Sequence, residues 1–560
     1  MRLARLLAWT LVIAALAATL RVNIFTISQI PRATTAVPWY DQWIMVDELR
    51  HPALWSPYFG HRLVIPRLIF QADARWASLG SLTWLIMTIH VAHMLLLTAL
   101  AWLLIGRKSR IGFALACVVI LNLVLSPFQM ENLLWSNQVQ FVLVYAAATA
   151  AFLFLGAARR NIWFAVPAAV SALTATLTMA NGLIVWPILI LEAWHLRLSR
   201  STIIALAAAG AAILTAYLWH YHAVAMGMGV GGMIRDPLHA LQLLGLLIAG
   251  PLDFISIPIG TVVALLALVP MGWLMFDMLR KRSPEQTLAT ALAALTIFLF
   301  LTLVSIVSGR MSPQWFEALH GAFPIPSRIF TPILLFWTAI ALVILYTCWI
   351  YVRRPIWLAM YGVLFSVLMF GSVSRQLISA EDWADFFGGT EAVGSSLLLD
   401  IPDPQLQTLL WPSKPQLDEW VAFLREKRLA MFAEPRAAWP GKRAADLFRI
   451  SSHSPCIGGI ETTKQLNGSW RVEGWAWNTD RGAPPTDIIL LDTSGMIAGL
   501  ARGGFRHGYF PGLLMEPGPV PASHASLRHS EFLGYARGDP PWTLHAVIGH
   551  QIAACVPLNR

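Results

Sequence analysis

Long apolar runs separated by short basic clusters fill the first two thirds of the chain. A helix of about 20 apolar residues spans the roughly 30 Å hydrocarbon core of a bilayer. We therefore predict that each run is a membrane-spanning helix and that the polar stretches between the runs are loops. The eleven predicted spans are residues 3–20, 82–105, 111–127, 138–158, 161–179, 182–196, 202–219, 257–279, 287–307, 328–351 and 356–374.

The basic clusters decide the orientation, because Lys and Arg concentrate on the cytoplasmic side of a membrane. With eleven spans every cluster falls on one side, from Arg2 and Arg5 to Arg353 and Arg354. This count requires the apolar stretch 238–250 to be re-entrant or interfacial. The first span also has the charged start, apolar middle and small residues of a signal peptide, so its cleavage is left open.

A sharp change to polar composition after residue 375 predicts a separate part on the outer side. We divide the chain into a transmembrane domain (1–375), a helical connecting segment (376–440) with an amphipathic helix, and a β-sandwich (441–560) of short strands such as WRVEGWAWN and TDIILLD. Trp475 and Trp477 are either core residues of this sandwich or a glycan-binding surface. Its two cysteines, Cys456 and Cys555, would form a disulfide if the tail faces an oxidising compartment.

Composition supports a membrane protein. Hydrophobic residues make up 57% of the chain and charged residues 12%, with a mean hydropathy of +0.61, whereas soluble domains have about 25% charged residues. The net charge of +10 would suit nucleic acid, but the basic residues lie between spans, so we expect no nucleic-acid partner. The sequence has no Walker loop, GxSxG, HExxH, CxxC or dinucleotide fingerprint, so ATP-driven transport and nicotinamide chemistry have no local support.

The first outer loop, about residues 31–81, holds the richest collection of polar side chains. Asp41 follows Tyr40 shortly after the first span, and its carboxylate would accept a proton from an attacking hydroxyl, bind a metal ion, or simply cap a helix. The side chains of His61, Arg62 and Arg67 would bind a phosphate or pyrophosphate, or the headgroups of phospholipids.

Further polar residues gather at other outer ends of the predicted spans. The run PFQMENLLWSNQVQF is too polar for a lipid-facing turn, and predicts either a binding surface or a set of helix caps. Candidates for binding a sugar or an acceptor are Glu131, Asn132, Gln138, Asn181 and Arg310. Arg328 opens an apolar span, where it would snorkel or bind an anionic headgroup. The late outer segment adds Trp315, Glu317 and His320.

Five segments, PWYDQW, GHRLVIPRL, ENLLWSNQVQF, MANGL and SRIF, together resemble a group of bacterial polytopic membrane proteins placed near the GT-C superfamily of membrane glycosyltransferases. The resemblance covers about residues 1–375. It implies that Asp41 matches the catalytic aspartate of the superfamily's first outer loop and that transfer inverts the anomeric centre. Two features depart from the pattern. Gly60 stands where the group often has Glu, and the chain lacks the WWDYG-type signature of oligosaccharyltransferases, which disfavours protein N-glycosylation.

The residues and the resemblance predict an inverting glycosyltransferase of the bacterial inner membrane with a periplasmic tail. It would move a sugar from a polyprenyl-phosphate donor to a glycan or lipid of the cell envelope. Asp41 would be the base; the donor phosphate would bind His61, Arg62, Arg67 and Arg328. One acidic ligand makes a poor metal site, so no metal ligand is assigned and a need for Mg²⁺ or Mn²⁺ is left open. The alternatives are a lipid or glycan transporter and a non-catalytic envelope-assembly protein.

Overall fold

The computed structural model describes residues 2–221, 227–252, 257–280, 287–310, 325–347, 355–451, 455–506 and 529–557. The chain forms two compact units. The first comprises Met1–Ile27, Ala53–Ile69 and Thr83–Ala380; the second comprises Ser28–Pro52, Phe70–Leu82 and Glu381–Arg560. The second unit therefore combines two pieces of the predicted first outer loop with the tail of the chain.

Helices dominate the chain as far as Leu447. They begin at an N-terminal helix that extends the first predicted span by more than ten residues. The α-helices up to residue 398 are Arg2–Ala33, Asp41–Arg50, Val64–Ala77, Leu82–Ala101, Arg110–Val124, Met130–Leu134, Val139–Ala158, Ala165–Thr178, Val185–His195, Arg200–Leu218, Gly229–Arg235, Pro237–Ala249, Ile257–Arg280, Thr287–Arg310, Phe330–Thr347 and Pro355–Leu398. Shorter helices follow at Pro404–Gln407, Lys414–Lys427 and Ala444–Leu447.

Seven helical stretches in the described residues are long and apolar enough to cross a membrane. They are Leu6–Ala33, Leu82–Gly106, Arg110–Leu134, Ser136–Ala158, Arg200–Leu218, Thr287–Arg310 and Ser327–Thr347. The other predicted spans are also helical where they are described, but the total of eleven stays a prediction. The helix Pro237–Ala249 has 13 residues and is about 20 Å long, too short to cross the hydrocarbon core, which fits the expected re-entrant or interfacial segment.

Several threonines inside these apolar helices donate to the carbonyl four residues earlier. Examples are Thr149 to Tyr145, Thr296 to Leu292 and Thr338 to Leu334, all at 2.8 Å. The hydroxyl is then satisfied within its own helix and needs no water. Hydrophobic side chains fill the space between the helices of the first unit. These helices are therefore compatible with an apolar solvent.

The tail forms a β-barrel rather than the predicted sandwich. Its strands are β1 (Arg449–Ile450), β2 (Cys456–Leu466), β3 (Ser469–Asn478), β4 (Asp487–Leu491), β5 (Ile497–Phe505), β6 (Glu531–Arg537), β7 (Thr543–Ile548) and β8 (Gln551–Val556). They form one sheet in the order β1-β8-β2-β3-β6-β5-β4-β7. The sandwich prediction is wrong because β8 also pairs with β7, which closes the sheet on itself. Closure leaves one continuous sheet in place of two opposed ones.

Small residues permit this closure. The interior of the barrel is lined by alanines and medium-sized side chains, among them Ala476, Ala501 and Ala536. A Cβ atom on Gly534 would lie 2.3 Å from the Cβ of Ala501 on the neighbouring strand β5. Since real Cβ atoms do not approach so closely, only glycine fits at this position. Gly and Ala in the strands thus let neighbouring strands approach each other closely.

The outer face of the barrel carries a second apolar layer. Ile489, Leu500 and Tyr535 of the sheet pack with Leu399 and Phe448, which flank the short connecting helices. The predicted amphipathic helix is confirmed as Lys414–Lys427, whose buried residues are Leu417, Trp420, Val421 and Leu424. The helical connecting segment thus covers part of the barrel.

Trp475 and Trp477 lie on the outer face of β3, opposite the buried Val472 and Ala476. Both indoles are half-buried, so neither belongs to the barrel interior, and a glycan-binding role for them stays a prediction. Cys456 and Cys555 are joined by a disulfide that links β2 to β8. This bond holds β8 to β2, whereas the pairing that closes the barrel is that of β8 with β7.

Candidate functional site

Asp41 is the first residue of the helix Asp41–Arg50 and is half-buried. The helix cap is Tyr40, whose φ of 44° puts a non-glycine residue in the left-handed region. The N-cap interpretation of Asp41 is therefore wrong by one position. A carboxylate in the first turn still gains from the helix dipole, which stabilises its charged form. Asp41 is thus held as an acidic group at the start of a helix.

Contacts from the connecting segment fix the turn before Asp41. The backbone N–H of Tyr40 donates to the carbonyl of Leu410 at 2.9 Å, and the indole Nε1 of Trp39 donates to the carbonyl of Leu409 at 3.1 Å. The Trp39 ring lies 5.0 Å from the Phe386 ring, centroid to centroid. Because a positive φ at a tyrosine costs about 1–2 kcal/mol, these contacts are what maintain the strained conformation.

The second carboxylate of this helix has a structural role. Asp47 accepts the indole N–H of Trp420 at 2.9 Å and pairs with Arg50 at 3.4 Å. Arg50 in turn contacts Glu419 at 2.7 Å. Asp47 thus fastens the helix Asp41–Arg50 to the helix Lys414–Lys427, as expected of a packing residue.

Arg62 is buried among backbone carbonyls. Its Nε donates to the carbonyl of Tyr217 at 3.2 Å, and its two terminal nitrogens donate to the carbonyls of Trp55 and Trp219. The guanidinium also lies 5.3 Å from the centroid of the Trp55 ring. With 2% of the residue exposed, these contacts engage all three nitrogens of the guanidinium. The geometry gives Arg62 the task of holding the loop, and its predicted phosphate binding stays untested.

Arg67 has a similar environment. It is 3% exposed, and its Nη1 donates to the carbonyls of Leu54 at 3.1 Å and Ser56 at 2.6 Å. Both arginines therefore organise the segment Ala53–Ile69 through its carbonyl groups. The sequence could not separate this role from phosphate binding, because carbonyl and phosphate oxygens attract the same donors.

His61 lies between two donors. Its Nδ1 is 3.3 Å from the backbone N of Ala180, and its Nε2 is 3.2 Å from Nη2 of Arg310. Burial, with a smaller contribution from the Arg310 charge, lowers the pKa of His61 to about 4. The neutral ring has one acceptor nitrogen, so it accepts only one of these two bonds at a time. His61 is therefore an uncharged acceptor at neutral pH rather than a cation.

This arrangement predicts a pH dependence of stability. The pKa of His61 falls from about 6.5 in the unfolded chain to about 4 in the native one, so between these values the unfolded chain binds the extra proton. The contribution of His61 to the free energy of unfolding is complete above pH 6.5 and is lost as pH falls towards 4. Acidification should therefore raise the unfolding equilibrium constant less in His61→Gln than in the native chain, by at most about 10²-fold. Intrinsic fluorescence during thermal unfolding at a series of pH values measures this difference.

His550, which is exposed in the barrel, provides the matched control. His550→Gln should leave the acid profile of the native chain unchanged. Identical profiles for His61→Gln and the native chain between pH 6.5 and 4 would contradict the assignment of a neutral, buried His61.

Glu131 and Arg328 form a pair at the start of the helix Phe330–Thr347. Glu131 is buried and accepts the backbone N–H of Arg328 at 2.7 Å and its Nη1 at 3.2 Å. The side chain of Asn132 donates to the carbonyl of Arg328 at 2.8 Å and to Thr331 at 2.6 Å. These contacts are the helix-cap arrangement that the sequence left open. The Arg328 side chain remains 40% exposed, so part of its guanidinium is accessible to an anion.

Several side chains near Glu131 keep an unpaired polar atom. None of the following has a hydrogen-bond partner in the described part of the chain: Asn132 Oδ1, Asn137 Nδ2, Gln138 Oε1, Gln140 Oε1 and His90 Nε2. All five residues are at most 6% exposed. An unpaired buried polar atom costs about 1–3 kcal/mol. The concentration of four of them within residues 132–140 is therefore typical of a site that binds polar groups.

Asn181 and Arg310 lie in the same unit as His61. The side-chain N–H₂ of Asn181 faces the hydroxyls of Tyr145 at 3.4 Å and Thr302 at 3.5 Å, and its Oδ1 has no partner among the described residues. Arg310 ends the helix Thr287–Arg310 and contacts His61. The predicted Trp315, Glu317 and His320 lie outside the described residues.

The candidates divide between the two units. Asp41 belongs to the second unit. The first unit holds the other predicted site residues: His61, Arg62, Arg67, Glu131, Asn132, Gln138, Asn181, Arg310 and Arg328. Within the described ranges, no group of three or more His, Cys, Asp or Glu side chains is placed to hold a metal ion.

Sequence reasoning missed one buried carboxylate and two clusters of interacting ionisable side chains. Glu192, in the helix Val185–His195, is 3% exposed, and neither carboxylate oxygen has a partner in the residues that the structure describes. Its only signal is a single acidic residue in the apolar run WPILILEAWH. Two buried clusters of the second unit had no local signal, since their members are far apart in sequence: Arg32, Asp385 and Arg506, and Asp403, Arg471 and Tyr535.

Comparison with models of known families, with curated proteins and with solved structures finds no match to this chain.

Proposed function

We propose that the chain is an inverting glycosyltransferase that moves a sugar from a polyprenyl-phosphate donor to a glycan or lipid of the bacterial cell envelope. The observation that carries this proposal is the held, strained turn at Tyr40 directly before Asp41. Strained backbone is retained where it serves function, and here it fixes the position of a carboxylate. Asp41 acts as the base that removes the proton from the acceptor hydroxyl.

The chemistry needs little else from the protein. A polyprenyl phosphate is already a good leaving group, so a base, a cation for the phosphate and positioning are sufficient. Attack by the activated hydroxyl opposite the leaving phosphate inverts the anomeric carbon. Among the cationic candidates, Arg328 is the best suited to the phosphate, because its guanidinium is partly exposed and Glu131 orients it. Arg62 and Arg67 act indirectly by holding their loop.

The unpaired amides support sugar binding in the first unit. Asn132, Gln138 and Asn181 each retain an acceptor oxygen without a partner in the described chain. Hydroxyl groups of a sugar donate to such oxygens, and a site whose polar atoms are left unpaired without its ligand discriminates strongly for that ligand. We assign these three amides to sugar hydroxyls, with Glu131 as the group that orients Arg328.

Exposed aromatic and basic residues support a membrane location. Trp and Tyr concentrate at the surfaces of a bilayer, and Lys and Arg at its cytoplasmic side. Four exposed tryptophans lie within five residues of a predicted cytoplasmic cluster: Trp9, Trp102, Trp163 and Trp194. Large apolar side chains such as Leu95 and Ile204 are also more than 60% exposed on candidate spans. Both features fit an inner-membrane protein whose tail is periplasmic.

The test uses the full chain in lipid vesicles with radiolabelled polyprenyl-phosphate sugars and an envelope-lipid extract as acceptor. Asp41→Asn should reduce transfer by about 10² or more, in line with loss of a general base, while donor binding is retained. Asp47→Asn is the matched control on the same helix, and should transfer within a few-fold of the native rate. Equal transfer by Asp41→Asn and native protein would remove Asp41 from the reaction.

One observation favours a transporter as the second candidate. An ionisable residue buried in a membrane helix without a partner is often part of a transport pathway, and Glu192 has this character. Movement of labelled lipid-linked sugar across the vesicle membrane that is lost in Glu192→Gln, with no transfer to acceptor, would favour transport over glycosyl transfer.

A further inference from the structure

We propose that Tyr40 and Trp411 form an aromatic platform that stacks on the pyranose ring of the acceptor beside Asp41. The proposal rests on the proposed function, because it takes Asp41 as the group that receives the acceptor's proton. Both rings belong to the second unit. Their centroids lie 5.7 Å apart with an interplanar angle of 61°, which is an edge-to-face pair.

The Tyr40 ring is exposed despite the strain of its backbone. Tyr40 is 47% exposed, so its ring contributes little to the apolar core. A residue kept at a φ of 44° would ordinarily be glycine, and a tyrosine that is 47% exposed gains less from packing than a buried one does. This conformation exposes an aromatic ring immediately before Asp41. We take ligand binding, rather than stability of the fold, as the reason that it is kept.

Trp411 is fixed from two sides. Its indole N–H donates to Oε1 of Gln416 at 2.9 Å, and its ring lies 5.3 Å from the ring of Trp420. Trp420 in turn stacks on the buried Trp43 at 6.3 Å. The platform is thus the exposed end of a row of four aromatic rings. Rigid Tyr and Trp rings bind ligands with little loss of conformational entropy.

The charge of the surroundings favours a sugar over a lipid surface. The helix Asp41–Arg50 carries Asp41, Asp47, Glu48 and Arg50, and the helix Lys414–Lys427 has the exposed pair Lys414 and Asp418. An aromatic residue inserted in a bilayer has apolar neighbours instead. A pyranose offers an apolar C–H face to the rings and hydroxyl groups to the carboxylate, and this combination matches the platform and Asp41.

Binding is tested without turnover. Saturation-transfer NMR is recorded on the full chain in lipid nanodiscs with the methyl glycosides of glucose, mannose, galactose, rhamnose and N-acetylglucosamine. We expect at least one glycoside to bind, with its ring C–H protons the most strongly saturated. Tyr40→Leu and Trp411→Leu should each weaken that binding about tenfold, in the range known for stacking on one aromatic ring, and Tyr40→Phe should keep it within about threefold.

Trp76 provides the matched control, because it lies in the same unit and is 79% exposed. Trp76→Leu should bind like the native chain. The thermal unfolding midpoint of every variant is measured first, and Tyr40→Phe, which keeps the ring and the backbone, guards against a folding defect in Tyr40→Leu.

Three results would overturn the platform. They are no saturation of any glycoside by the native protein, equal binding by Tyr40→Leu and Tyr40→Phe, and weaker attachment of Tyr40→Leu to the lipid with unchanged sugar binding. Separate experiments can disprove the proposed enzyme activity and the proposed platform. Asp41→Asn tests transfer, whereas the leucine variants test binding whether or not transfer is observed.

Discussion

Replacing both Cys456 and Cys555 by alanine should lower the free energy of unfolding of the barrel by about 4–5 kcal/mol. The bond joins residues 99 positions apart, so it removes much of the freedom of the unfolded chain, and the entropic benefit grows with the size of the loop. It also reinforces the short parallel pairing of β2 with β8. A loss of this size is a large part of the stability of a typical domain.

The measurement is pulse proteolysis of the full protein across a urea series, with an antibody against the tail to follow the barrel. Cys117→Ala is the control, since Cys117 is a free cysteine of the first unit, and it should not move the midpoint for the tail. Excess dithiothreitol should bring the native chain to the midpoint of the double variant. A midpoint unchanged by both treatments would show that strand pairing alone holds β8 to β2.

Arg471→Met should destabilise the barrel by about 3–5 kcal/mol, because it leaves a buried carboxylate without its cation. Arg471 Nη1 contacts Asp403 at 3.1 Å and its Nε contacts Glu473 at 3.2 Å, with Asp403 1% exposed. Tyr535 donates its hydroxyl to the same Asp403 oxygen at 3.0 Å. Burial, helped by the Asp403 charge, raises the pKa of Tyr535 well above 10, so this hydroxyl stays a donor but supplies no positive charge.

The same proteolysis assay tests this prediction. Arg471→Met combined with Asp403→Asn should recover part of the loss, since the charge is removed while an Asn can still cap the helix Pro404–Gln407 as Asp403 does. Lys414→Ala, which breaks only the exposed pair with Asp418, should have little effect. If Arg471→Met and Lys414→Ala were equally mild, the buried pair would not be holding the connecting segment on the barrel.

The sequence predicts helices well in the apolar part of the chain because the signal is long and repeated. A helix satisfies the backbone groups of an apolar run within that single segment. The strand WRVEGWAWN likewise carries its own alternation, and TDIILLD carries a short continuous apolar run. Closure of the barrel was missed because it depends on β8 pairing along both edges, a relation between distant strands that no local pattern encodes.

Prediction of the candidate site from the sequence is limited in the same way, because contacts between distant segments leave no local pattern. Proximity in sequence correctly singled out Glu131, Asn132 and Gln138 as a polar group inside an apolar bundle. Composition alone did not distinguish Arg62, whose charge is enclosed by carbonyl groups, from Arg328, which keeps part of its guanidinium exposed. Burial and partners decide the difference, and they come from segments more than 150 residues apart, such as Arg62 and Tyr217.

The position of β8 along the chain also determines when the barrel can form. Cys456 is synthesised 99 residues before its partner, which is roughly 5–20 s at the usual pace of translation. Throughout this interval β2 has an open edge and Cys456 an unpaired thiol, both prone to wrong pairing with other chains. A barrel of this design therefore closes only after its final strand has been synthesised.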